Sequence, residues 1–265
     1  MPSAKYIKIT AGKLLNKDLL SHIGALFLIA VCFSSFMTIG TILTTIVGDF
    51  GTYYAYVVSN CFFYAFAVIM IIPLFFGYAV FETNSIINGK ADYSDMFCAF
   101  SDSGLFWKSF RVFYALLWRF AVVFAIPVYL IIRFISYTNG VWDYRYIIAG
   151  YDLTYTFRVI LIIVSVIAAI IIYSRFIISL YITVTRPEKS VSECFYAAKI
   201  YRKNCSFSLF CLAASFIPHM ILCILSLGIA FIYVIPFMLT SFFVFAHKRY
   251  ENTELNEAVT NMIFN

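Results

Sequence analysis

The sequence predicts an all-α polytopic membrane protein with six transmembrane helices, arranged as three helical hairpins with amphipathic cytoplasmic helices. Two observations carry this prediction. The 265 residues are 63% hydrophobic and only 12% charged, whereas an ordinary soluble domain is about 25% charged. No Asp, Glu, Lys or Arg occurs between Cys205 and Ala246, and this run is too long for one crossing of about 20 residues. It therefore predicts two crossings on either side of the break Ser226-Leu227-Gly228.

Residues 1–265 form a single predicted membrane domain in which apolar stretches alternate with shorter polar ones. A lead of residues 1–21 contains four lysines and no long apolar core, which is typical of a cytoplasmic surface helix. A polar tail, residues 248–265, closes the chain. The six crossings are predicted at about 22–47, 54–81, 106–137, 157–184, 205–225 and 229–247.

Two cytoplasmic connections between the crossings carry signals for helices. Residues 82–104 are polar and predict a loop with a short surface helix. In the connection 185–204, Ser190 stands three residues before Glu193, the spacing of a capping box. This spacing predicts a helix from Val191 to Arg202 with Ser190 as its N-cap.

The distribution of basic residues predicts the orientation. On the side of the two termini there are fourteen Lys and Arg residues, whereas the opposite side has only Arg145 and Arg158. Cytoplasmic loops carry an excess of Lys and Arg. We therefore expect a multi-pass protein of the cell membrane with both termini in the cytoplasm. The clustering of these residues at the ends of apolar runs indicates contacts with anionic lipid headgroups and excludes nucleic acid as the expected partner.

No catalytic or metal-binding pattern occurs in the chain. The seven cysteines form no CxxC pair, which predicts neither a disulfide framework nor a zinc site. HExxH, GxSxG and P-loop motifs are missing from the sequence. We therefore expect neither an enzyme nor a cofactor.

Arg119 and Arg175 are the first candidates for a ligand site, because they lie about 12 and 16 Å inside the predicted inner borders at 1.5 Å per residue. An arginine at such depth costs about 2.5 kcal/mol or more without a partner. No acidic residue falls within the predicted crossings to pair with them. Lys108 and Arg111 lie on the same predicted helix as Arg119, with Lys108 on its face, and together they favour a basic stripe.

Two interpretations of these charges stay open. In the functional one, the stripe lines a cytoplasm-facing cavity that attracts an anion such as a lipid phosphate. In the structural one, Lys108 extends to the interface and the arginines bond to helix carbonyls, tyrosines or headgroups. His219, directly after Pro218, is a further candidate, either as a proton acceptor or as a donor to a carbonyl that the proline leaves free.

Five short motifs follow one another in the second half of the chain: Tyr173-Ser174-Arg175-Phe176, Thr185-Arg186-Pro187-Glu188, Ser192-Glu193-Cys194, Leu225-Ser226-Leu227-Gly228-Ile229-Ala230 and Ile235-Pro236-Phe237. In this order they resemble a bacterial integral membrane family, the domain of unknown function 975. The match is best from Tyr173 to Tyr250. The resemblance implies a bacterial membrane protein with six helices and supplies no catalytic residue.

Together these patterns favour a non-catalytic transport or lipid-handling protein whose inner half holds an anion-attracting cavity. Prolines within the crossings would let helices bend around such a cavity. The alternative is a membrane scaffold or accessory subunit, including immunity or envelope-stress roles, that binds another membrane protein or a second copy of this chain.

Overall fold

A computed structural model describes the chain over residues 3–51, 53–90, 92–138, 147–148, 151–152, 160, 164, 172–173, 176–201 and 205–264. These residues are helical apart from turns and one antiparallel pair of two-residue strands, β1 (Ile147–Ile148) and β2 (Tyr151–Asp152). The helices are α1 (Ala4–Lys17), α2 (Leu19–Phe50), α3 (Tyr53–Asn88), a 3-10 helix (Tyr93–Phe97), α4 (Cys98–Ser101), α5 (Ser103–Thr138), α6 (Phe176–Thr185), α7 (Val191–Tyr201), α8 (Ser206–Ala214), α9 (Ile217–Leu225) and α10 (Phe231–Phe264).

Four stretches of the described residues are long and apolar enough to cross a membrane, which makes this a membrane protein by length and composition. They are Leu19–Ile46, Tyr53–Asn88, Phe207–Leu225 and Phe231–Glu254. They correspond to the predicted first, second, fifth and sixth crossings. Helix α5 covers the third, and α6 forms the end of the fourth, most of which lies outside the described residues. Six crossings in three hairpins stay a prediction.

Helices α2 and α3 pack antiparallel along their length. Phe36 makes an edge contact with Phe66, with 5.9 Å between ring centroids. Gly40 lies against Phe63, which a Cβ would meet at 2.9 Å. From Phe36 to Gly40 the chain of α2 advances by four residues, while its partner on α3 goes back from Phe66 to Phe63. The two helices are therefore antiparallel, and these contacts fix their register.

The polar connection after α3 folds back onto that helix. Asp92 accepts from the backbone N–H of Ser94 at 3.2 Å and caps the 3-10 helix Tyr93–Phe97. Gly77 of α3 lies directly against the backbone carbonyl of Met96. The predicted loop with a short surface helix is thus a compact cover over one end of α2 and α3.

The predicted fifth crossing is broken in the middle. Helix α8 ends at Ala214 and α9 begins at Ile217, with Pro218 in the first turn of α9. Proline has no N–H, so it leaves a carbonyl of the preceding turn without its helical donor. The next predicted break is confirmed, since Leu227 and Gly228 both adopt positive φ, of 53° and 92°, and turn the chain into α10.

Helix α1 is docked against the membrane helices α10 and α8 instead of lying apart from them. Its side chains at every fourth position, Ile7, Ala11 and Leu15, are buried. This spacing places them on one helix face. The predicted amphipathic lead is therefore part of the main hydrophobic core, which it shares with α6, α7 and α10.

The cap predicted for α7 is confirmed. The backbone N–H of Glu193 donates to Ser190 Oγ, and the backbone N–H of Ser190 donates to Glu193 Oε2, both at 3.3 Å. These reciprocal bonds satisfy two backbone groups at the helix start. Inside the helix, Cys194 and Phe195 are buried and hold α7 against the core.

Candidate functional site

Arg119 and Lys108 both reach from α5 to the chain around α7. The Arg119 guanidinium donates from Nη1 to the carbonyl of Ala115 at 2.8 Å and lies 4.2 Å from the ring centroid of Phe195. Lys108 Nζ donates to the carbonyls of Pro187 and Lys189, each at 2.7 Å. Arg111 is exposed on α5.

These basic residues do not meet at one point. Lys108 and Arg119 are three helical turns apart, or about 16 Å at 1.5 Å per residue. Arg175 lies outside the described residues. These contacts of Lys108 and Arg119, to carbonyls and an aromatic ring, are those expected in the structural interpretation.

His219 is half-buried between the ring of Phe216, in the break before α9, and the ring of Phe237 on α10. Its ring centroid is 5.5 Å from that of Phe216 and 6.1 Å from that of Phe237. Its Nδ1 is buried and has no hydrogen-bond partner among the described residues. This nitrogen therefore donates to no carbonyl of the described residues.

A lysine of the N-terminal helix occupies the break before Pro218 instead. Lys8 Nζ donates to the carbonyl of Ser215 at 2.8 Å and lies 4.2 Å from the centroid of the Phe216 ring. Burial lowers the pKa of Lys8, and the carbonyl and the ring replace part of the water that its ammonium loses.

A half-enclosed cavity of about 310 Å³ lies between α3, α5, α6 and α10. Each helix contributes apolar side chains, for example Phe76, Leu116, Ile177 and Phe243. The polar side chains in its wall are Ser109, Tyr78 and Tyr173. Its volume falls at the lower end of the range typical of ligand pockets, about 300–1,000 Å³. The described residues of this wall suit a hydrocarbon chain and offer almost nothing to a polar solute.

Arg119 lies one turn beyond this cavity on α5. Leu116 lines the wall, and Arg119 follows it by three residues, so the two side chains are about 60° apart around the helix. Arg111 is about 140° from Leu116 and points elsewhere. Of the predicted basic candidates on α5, Lys108 lies one turn before Val112 of the wall and Arg119 lies one turn after Leu116. The Lys108 ammonium donates to two carbonyls near α7, so Arg119 is the candidate that we consider for the cavity.

A buried polar cluster lies one helical turn from the cavity wall and centres on Glu82. Both Glu82 and His22 are almost fully buried, at 0% and 1% exposure. Glu82 Oε1 is 2.9 Å from His22 Nδ1 and accepts from the Tyr78 hydroxyl at 2.6 Å and from the Thr240 hydroxyl at 3.3 Å. On the other side of the imidazole, His22 Nε2 is 3.3 Å from Ser85 Oγ.

One oxygen of this cluster has no partner. Glu82 Oε2 is buried and makes no hydrogen bond with the described residues. Buried polar atoms are nearly always paired, so an exception calls for an explanation. The same residues include no group of three or more His, Cys, Asp and Glu side chains that would hold a metal ion.

The sequence analysis missed this cluster because it ended the second crossing at residue 81. Helix α3 continues to Asn88, and the apolar span that contains it includes Glu82. The prediction thus placed Glu82 just beyond the second crossing, whereas the apolar span that contains it extends to Asn88. The helical spacing of Tyr78, Glu82 and Ser85 was the available signal, but only packing shows that His22 of another helix meets them.

A family model described as "Protein of unknown function (DUF975)" matches residues 1–253 of the chain. The chain matches no protein of the curated collection and no solved structure. The family match extends from α1 to the last turns of the apolar part of α10. It includes the cavity and the Glu82 cluster.

Proposed function

This chain belongs to the DUF975 family, described as proteins of unknown function, and we propose that it is a non-catalytic membrane protein that binds and moves lipids. The observation that carries this proposal is the apolar cavity of about 310 Å³ between α3, α5, α6 and α10. A hydrocarbon chain gains about 0.8 kcal/mol for each CH₂ that it buries. The cavity therefore favours an acyl or prenyl chain over a polar metabolite.

The position of Arg119 predicts that the lipid has an anionic headgroup. The side chain of Arg119 is half-buried, and it stands on the helix that forms one cavity wall, one turn beyond Leu116. A guanidinium has five N–H donors in a planar fork and binds phosphate well, and the bond to Ala115 uses one of them. A lipid whose chain occupies the cavity would place an anionic phosphate near this guanidinium at the border of the wall.

The test is photocrosslinking of the detergent-purified protein with phosphatidylglycerol that carries a diazirine in one acyl chain. We expect the crosslinks to map to residues of the cavity wall. Leu116→Trp fills the cavity and should lower the crosslinking yield at least about fivefold, which is about 1 kcal/mol. Leu117→Trp is the matched control, because Leu117 is the next residue on α5 and is 54% exposed.

A second arm of the same experiment tests the headgroup. Arg119→Leu should reduce the preference for phosphatidylglycerol over a phosphatidylcholine probe with the same chain, whereas Arg111→Leu on the exposed side of α5 should not. Equal crosslinking in Leu116→Trp and wild type, with both folded, would contradict the lipid proposal. A stoichiometric co-purifying membrane protein with only bulk lipid would favour the scaffold alternative instead.

A further inference from the structure

The buried carboxylate of Glu82 has no neighbouring Lys or Arg among the described residues that could balance its charge, so the charge must be balanced within the His22–Glu82 pair. In the described residues, no Lys or Arg side chain forms an ion pair with Glu82, and His22 is its one ionisable partner of opposite charge. A lone buried carboxylate costs several kcal/mol. A proton held between the two members removes this cost, because the carboxylate then either faces an imidazolium or is itself neutral.

The geometry allows this proton to occupy either partner. His22 Nδ1 and Glu82 Oε1 are 2.9 Å apart, the length of a charge-assisted hydrogen bond. With the proton on His22 the pair is an ion pair, and with the proton on Glu82 it is neutral. The unpartnered Oε2 of Glu82 is the free position of this carboxyl group, where a proton can be held without breaking the three contacts of Oε1.

Tyr78 connects this pair to the cavity. Its ring forms part of the apolar wall, and its hydroxyl donates to Glu82 Oε1 at 2.6 Å. A hydrogen bond to an ionised acceptor is about twice as strong as one between neutral groups. Protonation of Glu82 therefore weakens the bond that holds the Tyr78 ring in the wall.

Each element packed around the pair contributes polar or titratable groups of its own. Helix α10 contributes the hydroxyl of Thr240, and Tyr173 lines the same cavity as Tyr78. The 3-10 helix contributes Tyr93, whose ring stacks on Phe81 with 6.1 Å between centroids. Asp95 of the same element is held by Asn84, and Lys17 of α1 bonds to the carbonyl of Gly89.

We propose that His22 and Glu82 form a proton-binding site within the membrane part of the protein, and that Tyr78 transmits its protonation state to the apolar cavity. The second half of this inference rests on the proposed lipid function, whereas the proton site does not. Uptake of a proton by the ionised carboxylate forms one O–H bond at Glu82 and removes its negative charge. The Tyr78 ring, less firmly anchored, then moves into the cavity and opposes the lipid chain.

The proton site is tested first, without lipid, by infrared difference spectroscopy of the purified protein between about pH 4 and pH 9, a range that spans the ordinary pKa values of Glu and His. We expect a carbonyl band of a buried protonated carboxyl that changes with pH in wild type and is lost in Glu82→Gln. Glu82→Asp should shift this band. Glu251→Gln, which removes a 43% exposed carboxylate, should leave it unchanged.

The link to the cavity is tested with the phosphatidylglycerol photoprobe over the same pH range. Half-saturation should require about fivefold more probe at the acidic end, and Tyr78→Phe should abolish this dependence while the carboxyl band stays. A missing band in wild type overturns the proton site. A band that titrates while probe binding is independent of pH overturns the link through Tyr78. If the probe does not bind at all, the lipid function fails while the band still decides the proton site.

Discussion

At the residue scale, Gly77 sets how closely the 3-10 helix covers α3. A Cβ at this position would overlap the backbone carbonyl of Met96. Backbone atoms cannot rotate away as a side chain can, so a larger residue must push the two segments apart. Met96 itself is fully buried, and its neighbours include the residues that pack around Phe81 and Tyr78. The glycine therefore holds together the end of the molecule where the Glu82 cluster lies.

Replacing this glycine tests the close contact. Gly77→Ala should destabilise the protein by about 1–3 kcal/mol, the usual cost of overpacking. The measurement is the midpoint of thermal unfolding in detergent, with the fraction of protein that stays monodisperse as the observable. Gly12→Ala is the control, because a Cβ on α1 would lie 3.8 Å from Phe237, an ordinary contact. That change should stabilise by up to about 1 kcal/mol through helix propensity. Equal midpoints for the two variants would argue against the close packing at Gly77.

At the element scale, the broken helix α8–α9 is completed by the N-terminal helix. Pro218 removes one backbone donor, and the ammonium of Lys8 donates to the nearby carbonyl of Ser215. The two residues are 207 positions apart in the chain. Helix α1 is therefore joined to the break by a side-chain bond in addition to its apolar face.

Removing this lysine tests the junction. Lys8→Met keeps an unbranched apolar stem but leaves the Ser215 carbonyl without its donor, which costs about 1–3 kcal/mol when the group is buried. We expect faster amide hydrogen exchange in α1 and in the first turn of α9. Lys5→Met, at an exposed position of the same helix, should leave both rates unchanged. Unchanged exchange in Lys8→Met would show that the apolar face alone holds α1.

The end of α10 is a second place where helices are joined by polar groups. His247 lies 2.6 Å from the hydroxyl of Tyr181 on α6. Glu254 accepts from Arg186 at 3.0 Å and from the Tyr201 hydroxyl of α7 at 2.7 Å. Ion pairs at partly exposed positions contribute little each. They contribute instead to how α6 and α7 are oriented against α10. The orientation of α7 in turn places the Phe195 ring next to the Arg119 guanidinium.

At the scale of the whole molecule, both termini are expected on the cytoplasmic side. The prediction is tested with single cysteines in a chain whose seven native cysteines are replaced by alanine. Ser3→Cys and Asn252→Cys should react with a membrane-impermeant maleimide only after the cells are permeabilised. Gly51→Cys, in the exposed turn between α2 and α3, should react in intact cells. Labelling of either terminal position in intact cells would show that the positive-inside count misleads here.

The sequence by itself determined the membrane class, the positions of several helices, the cap of α7 and the turn at Leu227 and Gly228. These features follow from local properties, since apolar length, capping residues and positive φ act within a few positions of the chain. The family could also be identified from the sequence, because short motifs in the second half of the chain carry the resemblance.

Only the tertiary structure decided where the polar groups and the cavity lie. His22 and Glu82 are 60 positions apart, and neither residue taken alone indicates the other as its partner. Their pairing depends on how α2 and α3 are rotated against each other, and the cavity depends on how four helices leave space between them. Composition and spacing contain neither quantity, because both arise from the fit of distant side chains.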